Sequence, residues 1–290
     1  MTSSAPATMS HYFARIAQAL ACDAPTQKCA LVKALHQDVL QIRTVPDGDV
    51  QADAMQHSFS VPLPGRPARP LLVHPRDVPR RRLGTPAGRA ALLHAIAHIE
   101  FNAINLALDA SCRFRAMPAA FHRDWLGVAA EEAEHFSLLA AHLRSLGHDY
   151  GDFAAHDGLW QAALATADDV LARMALVPRV MEARGLDVTP ALRDKLAACG
   201  DQRAAQILDL ILAEEIGHVA IGDQWFRQQC QVRGLHPEQT FLALLQRPGT
   251  PQLHPPFNRS ARLACGFSSA ELDALEAMQA PAPAFSAASA

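Results

Sequence analysis

The sequence predicts an all-α fold, and three observations carry that reading. Alanine and leucine are abundant while aromatic residues make up only 6%, a balance that favours helix over strand. Apolar residues recur at helical spacing through most of the chain. Proline and glycine stand where helices start and stop, and no stretch carries a convincing strand pattern. The expected architecture is a four-helix bundle with a long crossover, preceded by N-terminal helices and an arm and followed by short C-terminal helices.

Residues 11–22 and 26–43 carry helical periodicity. Residues 44–85 do not. There "VPLPGRPARP" and "HPRDVPRRRLGTP" are rich in proline and arginine, and Phe59, Val61, Leu63, Leu71, Leu72 and Val73 suit an extended arm laid on a surface. Helix A starts at Thr85-Pro86, a cap followed by proline at the first helical position, and runs to about Ala110. Helix B runs from Arg123 to Leu146 and stops at Gly147. Helix C covers 160–184 and stops at Gly185; "DVTPALRDKLAACG" then reads as a separate short helix, capped by Thr189 and opened by Pro190. Helix D covers 201–232, and a shorter helix spans Pro237–Leu245. The last starts at Ser268, where Ser268 and Glu271 fit a capping box. The expected segments are thus 1–85, helices and wrapping arm; 86–232, the bundle; 233–278, a helical extension packed on it; and 279–290, a disordered low-complexity tail. Residues 147–160 can reach about 46 Å, enough to pass from end to end of a helix of about 36 Å. Two antiparallel pairs, A–B and C–D, joined by a crossover, satisfy these lengths.

One pattern occurs twice. "AEEAEHF" begins at Ala130 and "AEEIGHV" at Ala213. Glu132 with His135, and Glu215 with His218, are three apart and share a helix face. A Glu-x-x-His pair on each of two bundle helices, with one glutamate from each of the other two, is the carboxylate di-metal arrangement. Helix A offers Glu100 and helix C offers Glu182, which precede Glu132 and Glu215 by 32 and 33 residues. Nearly equal spacings imply two similar helix pairs. Carboxylates hold and bridge two cations, while imidazole tunes them and leaves positions open for dioxygen. Chance places a glutamate three before a histidine about 0.5 times in this composition, so one motif alone is weak and the six-residue set carries the argument. A solvated face of local ion pairs is the competing explanation. The apolar surroundings "LALDA", "FSLLAAHL" and "ILDLILA" disfavour it, because unpaired charge is costly there.

Other residues are read more plainly. Glu131 and Glu214 lie four before their histidines and are taken as surface or supporting groups of the site. His94 and His98 are taken as structural, with His98 the candidate extra ligand. Pro178 should bend helix C near Glu182. Tyr12 and Tyr150 lie away from the ligand helices, and Trp125 and Trp225 read as core before electron relays. Arg76, Arg80, Arg81, Arg82 and Arg89 are read as a surface loop paired with local acids in preference to a nucleic-acid surface. Asn258, Arg259 and Arg262 in "PPFNRSAR" are placed to fold over one end of the bundle. The net charge of -3 gives no whole-chain bias toward nucleic acid or membrane. Cys22, Cys29, Cys112, Cys199, Cys230 and Cys265 include no Cys-x-x-Cys pair and are read as reduced thiols. Without a signal peptide or a run of 18 apolar residues, the cytoplasm is expected.

Longer segments carry a resemblance. "HAIAHIE", "MPAAFHRDWLGVAAEEAEHF", "GHDYGDFAAHDGLW", "ARMALVPRVMEARGLDVTP", "EEIGHVAIGDQWF" and "PPFNRSARLACGF" are similar to the ferritin-like superfamily and, more closely, to the bacterial family known as domain of unknown function 455. The resemblance runs from about residue 60 to 275, leaving the N-terminal 50 residues outside it. It implies a ferritin-like bundle with ligands Glu100, Glu132, His135, Glu182, Glu215 and His218. A more distant likeness is to di-iron hydroxylases that modify tRNA. The expectation is an oxidoreductase with two iron ions, or Fe/Mn or Mn/Mn, using dioxygen to oxidise or hydroxylate a small molecule or macromolecule. An electron donor is implied but not identified, nucleic acid stays open as a partner, no membrane partner is expected, and a homodimer is admitted. The alternatives are a non-cage metal-binding or peroxide-handling protein, and a scaffold with a structural metal.

Overall fold

The computed structural model describes residues 9–41, 60–79, 81–250 and 253–279. Among them the protein is all-helical, with one isolated parallel bridge between Leu72 and Ala155. The helices are α1 (Met9–Ala21), α2 (Pro25–Gln41), α3 (Pro86–Arg113), α4 (Ala119–Ser145), α5 (Gly158–Ala165), α6 (Val170–Leu176), α7 (Ala183–Ala198), α8 (Gln202–Val232), α9 (Pro237–Leu245), α10 (Arg259–Ala264) and α11 (Ser269–Gln279). A π-helical segment, Val177–Glu182, joins α6 to α7. The chain divides into two compact units, Met1–Val170 with Pro190–Glu214, and Leu171–Thr189 with Glu215–Ala290.

In the first unit α3 packs on α4, α1 lies on α3, and α2 lies on α4. Thr85 caps α3: its hydroxyl accepts from the Gly88 N–H at 3.1 Å, and Pro86 comes next at the first position. Leu93, Ala97, Phe101, Ile104 and Leu108 are buried along it. By length and composition α3 could cross a bilayer, but 72% of its apolar window is buried inside the protein, as in a core helix. Helix α4 starts four residues earlier than expected, because Ala119 and Phe121 extend its buried face after Pro118. It closes as expected at Gly147 (φ 80°), with the His148 N–H donating to the Leu143 carbonyl at 3.1 Å.

The arm is held by its backbone. The Gly65 N–H donates to the Leu20 carbonyl at 2.8 Å, and a Cβ at Gly65 would overlap the Ala21 carbonyl. The buried Lys28 ammonium donates to the Leu20 and Gly65 carbonyls at 3.0 and 2.9 Å and to Asn105 Oδ1. Further along, the Val73 N–H donates to the Ala155 carbonyl at 2.8 Å. Along the arm Leu63 and Leu71 are 78% and 68% exposed. The expected pairing of the arginines with local acids is corrected. Among the described residues Arg76, Arg81, Arg82 and Arg89 form no ion pair, since Asp77 is the sole acid between residues 60 and 99. Arg81 instead lies over the Phe153 ring at 5.1 Å. Phe59, Arg80 and the expected tail after Gln279 lie outside the described residues.

Helix C differs most from expectation. It breaks between Ala165 and Val170, and Gly185 does not end it. Thr189 and Pro190 do not open a new helix either, since α7 runs through both. The bend expected at Pro178 takes the form of the π segment. Proline lacks an N–H to donate, and the ladder resumes with Ala183 donating to the Pro178 carbonyl five residues back.

The second unit is built around that segment. Gly222 of α8 lets Pro178 approach, since a Cβ there would overlap the proline ring. The fully buried Arg179 guanidinium lies 3.9–4.7 Å from the ring centroids of Phe226, Phe241 and Phe267. It meets Glu271 at 2.6 Å and Asp223 at 3.0 Å. Arg262 of α10 forks onto Asp187 at 3.0 and 2.7 Å, and Asn258 caps α10 through the Ala261 N–H. "PPFNRSAR" therefore packs onto α7 within this unit. The expected capping box forms, with Ser268 and Glu271 bonded reciprocally at 2.8 and 3.0 Å.

Candidate metal centre

Three helices bring carboxylates to one imidazole in the first unit. Helix α3 contributes Glu100, α4 contributes Glu132 and His135, and the first part of α8 contributes Glu214. His135 Nδ1 is 3.0 Å from Glu100 and 3.5 Å from Glu132, and Nε2 is 2.7 Å from Glu214. Glu100, Glu132 and His135 offer ligand atoms within 4.8 Å of one another. All three are buried, and Glu214 is about one-third exposed. Burial alone would lower the His135 pKa, but Glu100 and Glu132 outweigh it and lift the group to about 11. The imidazole is therefore an imidazolium in the metal-free protein, one positive charge facing three carboxylates.

The second unit holds the other three candidate residues. Glu215 and His218 lie one turn apart on α8, with 3.7 Å between Nδ1 and the carboxylate, and both are buried. Glu182 ends the π segment and is half-buried. Of the predicted residues, Glu100 lies on α3, Glu132 and His135 on α4, Glu215 and His218 on α8, and Glu182 at the end of the π segment. Glu214, expected as a supporting group, does touch His135; the doubled glutamate of the motif is the signal that points to it. Glu131 is exposed.

His98 is engaged elsewhere. Its ring nitrogens bond Tyr150 OH at 2.8 Å, the His156 carbonyl at 3.2 Å and Asn102 at 3.0 Å. Tyr150, expected to be remote, is folded by the crossover against Phe101 and Phe136, the chain neighbours of Glu100 and His135, at 5.6 and 5.0 Å. A loop residue has no periodicity to announce such a contact. Tyr12, Trp125 and Trp225 are buried in the core.

His94 and His122 give a stability prediction. His94 Nε2 accepts from the Gly151 N–H at 2.9 Å, and His122 packs edge-on to Phe13. Burial pushes both down to about 4. As pH falls, the unfolded chain takes up protons near 6.5 while the native protein does not. Stability present above pH 6.5 should therefore drop on the way to pH 4, by on the order of 3 kcal/mol for each histidine. Urea unfolding at pH 7.0, 5.5 and 4.5 measures it. Replacing both with glutamine should reduce the acid slope and leave the share of His98, which burial also pushes down to about 4.

Fold and site together define an all-helical protein with a buried acid–imidazole cluster. The chain belongs to the family described as Protein of unknown function (DUF455), whose model matches residues 21–273. That match reaches further toward the N-terminus than residue 60 and takes in α2 and the arm. The chain is similar to an "Uncharacterized protein" of Haemophilus influenzae, 46% identical over 275 residues, covering 92% of this chain and 94% of the relative. No solved structure matches.

Proposed function

We propose that the chain is a ferritin-like, carboxylate-held di-metal oxidoreductase that uses dioxygen on an organic substrate. In this reading Glu100, Glu132 and His135 hold one ion, and Glu182, Glu215 and His218 the other. One observation carries it: three carboxylates from three helices converge on the buried His135. The donor set fits a hard divalent cation, because carboxylate oxygens and imidazole are its preferred ligands. An excess of carboxylates in a buried place also favours a cation there.

Two iron ions, or Fe/Mn or Mn/Mn, would supply the electrons that activate dioxygen. The chain supplies the rest. Glu214 holds the far nitrogen of His135, fixing the ring orientation and leaving Nδ1 toward Glu100 and Glu132. The apolar flanks of α3 and α4 keep water from the carboxylates. The π segment fixes the direction in which Glu182 leaves its helix.

Metal per chain, measured on protein from iron-supplemented cells beside a Glu215→Ala variant, tests this. About two iron or manganese per chain is expected in the parent, and one or none in the variant. No transition metal in the parent after anaerobic loading with ferrous iron would sink the reading and leave a helical scaffold.

A further inference from the structure

We infer that the arginine-rich arm of the first unit is a docking surface for a single strand of nucleic acid, held by its phosphodiester backbone. The inference is independent of the metal reading. Between residues 60 and 99 the chain has seven arginines and one acid, Asp77, a net +6 in a chain whose total is -3. The rest of the chain therefore carries -9. No lysine contributes to the stretch. The planar fork of arginine matches phosphate oxygens, where lysine offers only a point charge. Arg69, Arg76, Arg81 and Arg82 are exposed, and none of them forms an ion pair among the described residues.

The fold gathers these arginines along one strip. A Cβ at Gly151 would meet Arg69 Cβ at 2.9 Å, and Arg81 lies over the Phe153 ring at 5.1 Å. In the arm between them, the Leu71 carbonyl and the Val73 N–H bond the Ala155 backbone at 3.0 and 2.8 Å. Residues 151–155 span at most about 14 Å, so Arg69 and Arg81 sit on one short stretch of the crossover. Arg76 follows Val73 by three residues, and Arg82 follows Arg81 directly. The acids of the crossover do not use up this charge. Asp149, Asp152 and Asp157 are met by Arg144, His148 and Arg66 at 3.5, 3.6 and 2.7 Å. Residues 144–157 carry -2 with histidine neutral, so arm and crossover together keep +4. The exposed Asp77, Asp149 and Asp152 also choose between polyanions. A flat anionic bilayer would press against them together with the arginines. A flexible strand runs from one arginine to the next and leaves the acids in water.

Binding is read by fluorescence anisotropy of a labelled uridine strand of about 20 nucleotides, titrated with the full chain. Four phosphate contacts predict that log K falls with log salt at a slope of about -3. A thymidine DNA strand of equal length should bind equally, since only the backbone is held. Arg76→Gln, Arg81→Gln and Arg82→Gln together should weaken binding about tenfold or more and bring the slope to about -1. The control, Arg123→Gln with Arg203→Gln and Arg247→Gln, changes the net charge equally at exposed positions off the arm and should bind like the parent. Arg76→Glu alone should weaken binding about fivefold, which keeps the test decisive if the triple arm variant fails to fold. All variants should keep the parent's metal content, which separates this surface from the metal centre. No saturable binding by the parent, arm variants that bind as the parent does, or an equal loss in the control would overturn the proposal. So would equal displacement by poly-glutamate or by phosphatidylglycerol vesicles at matched charge. Tighter binding of a duplex of the same length would overturn the single-strand assignment.

Discussion

Arg179→Met should destabilise the protein by about 3–5 kcal/mol and lower its melting temperature by roughly 10 °C. Methionine can fill the space among Phe226, Phe241 and Phe267, so lost volume is not the main cost. The cost is electrostatic. Arg179 and Arg227 together face Asp223 and Glu271. Without Arg179, the fully buried Glu271 and the nearly buried Asp223 share one partly exposed guanidinium. Restoring charge as Arg179→Lys should recover little, because an ammonium cannot fork to two acids while stacking on three rings. Adding Asp223→Asn and Glu271→Gln to Arg179→Met should recover most of the loss. Calorimetric melts of the four proteins decide it, and an Arg179→Met protein within 1 kcal/mol of the parent would refute the account.

Glu132→Gln should split stability from metal binding. In the metal-free protein Glu132 is one of three carboxylates sharing the His135 charge. Neutralising it relieves repulsion between buried like charges, and a gain of roughly 1–2 kcal/mol is expected. With ferrous iron added anaerobically, the parent should gain about 4 kcal/mol at a thousandfold excess over its dissociation constant. The variant should gain little. Thermal melts with and without iron read both effects. A variant less stable than the parent without metal, yet equally stabilised by iron, would show that Glu132 is a structural partner of His135 and no ligand.

The helical class was legible because α3, α4 and α8 announce themselves twice, through apolar periodicity and through terminal residues such as Thr85-Pro86 and Gly147. The candidate ligands were legible because Glu-x-x-His is a local spacing on a helix. The features that were not legible are tertiary. Gly185 and Thr189-Pro190 resemble a stop and a start, yet α7 continues because Asp187 and Leu186 are bound by Arg262 and Asn258, more than 70 residues away. Tyr150 reaches Phe101 and Phe136 only through the path of the crossover. The missing acid partners of the arm's arginines are the exception, since a count along the chain finds only Asp77 between residues 60 and 99.

The π segment has one more consequence. A π turn holds one residue more than an α turn, so the stretch beyond it is rotated by about 100° relative to an unbroken helix. Glu182 closes the segment and Asp187, the anchor of Arg262, lies five residues beyond it. Shortening the chain by one residue between Val177 and Val180 would put the two stretches back in phase as one α-helix. Glu182 and the Asp187 anchor could then no longer both keep their bearings relative to α6. The extra residue works as a frame shift in helical phase, letting one stretch of chain face the candidate ligand position and the C-terminal clamp in turn.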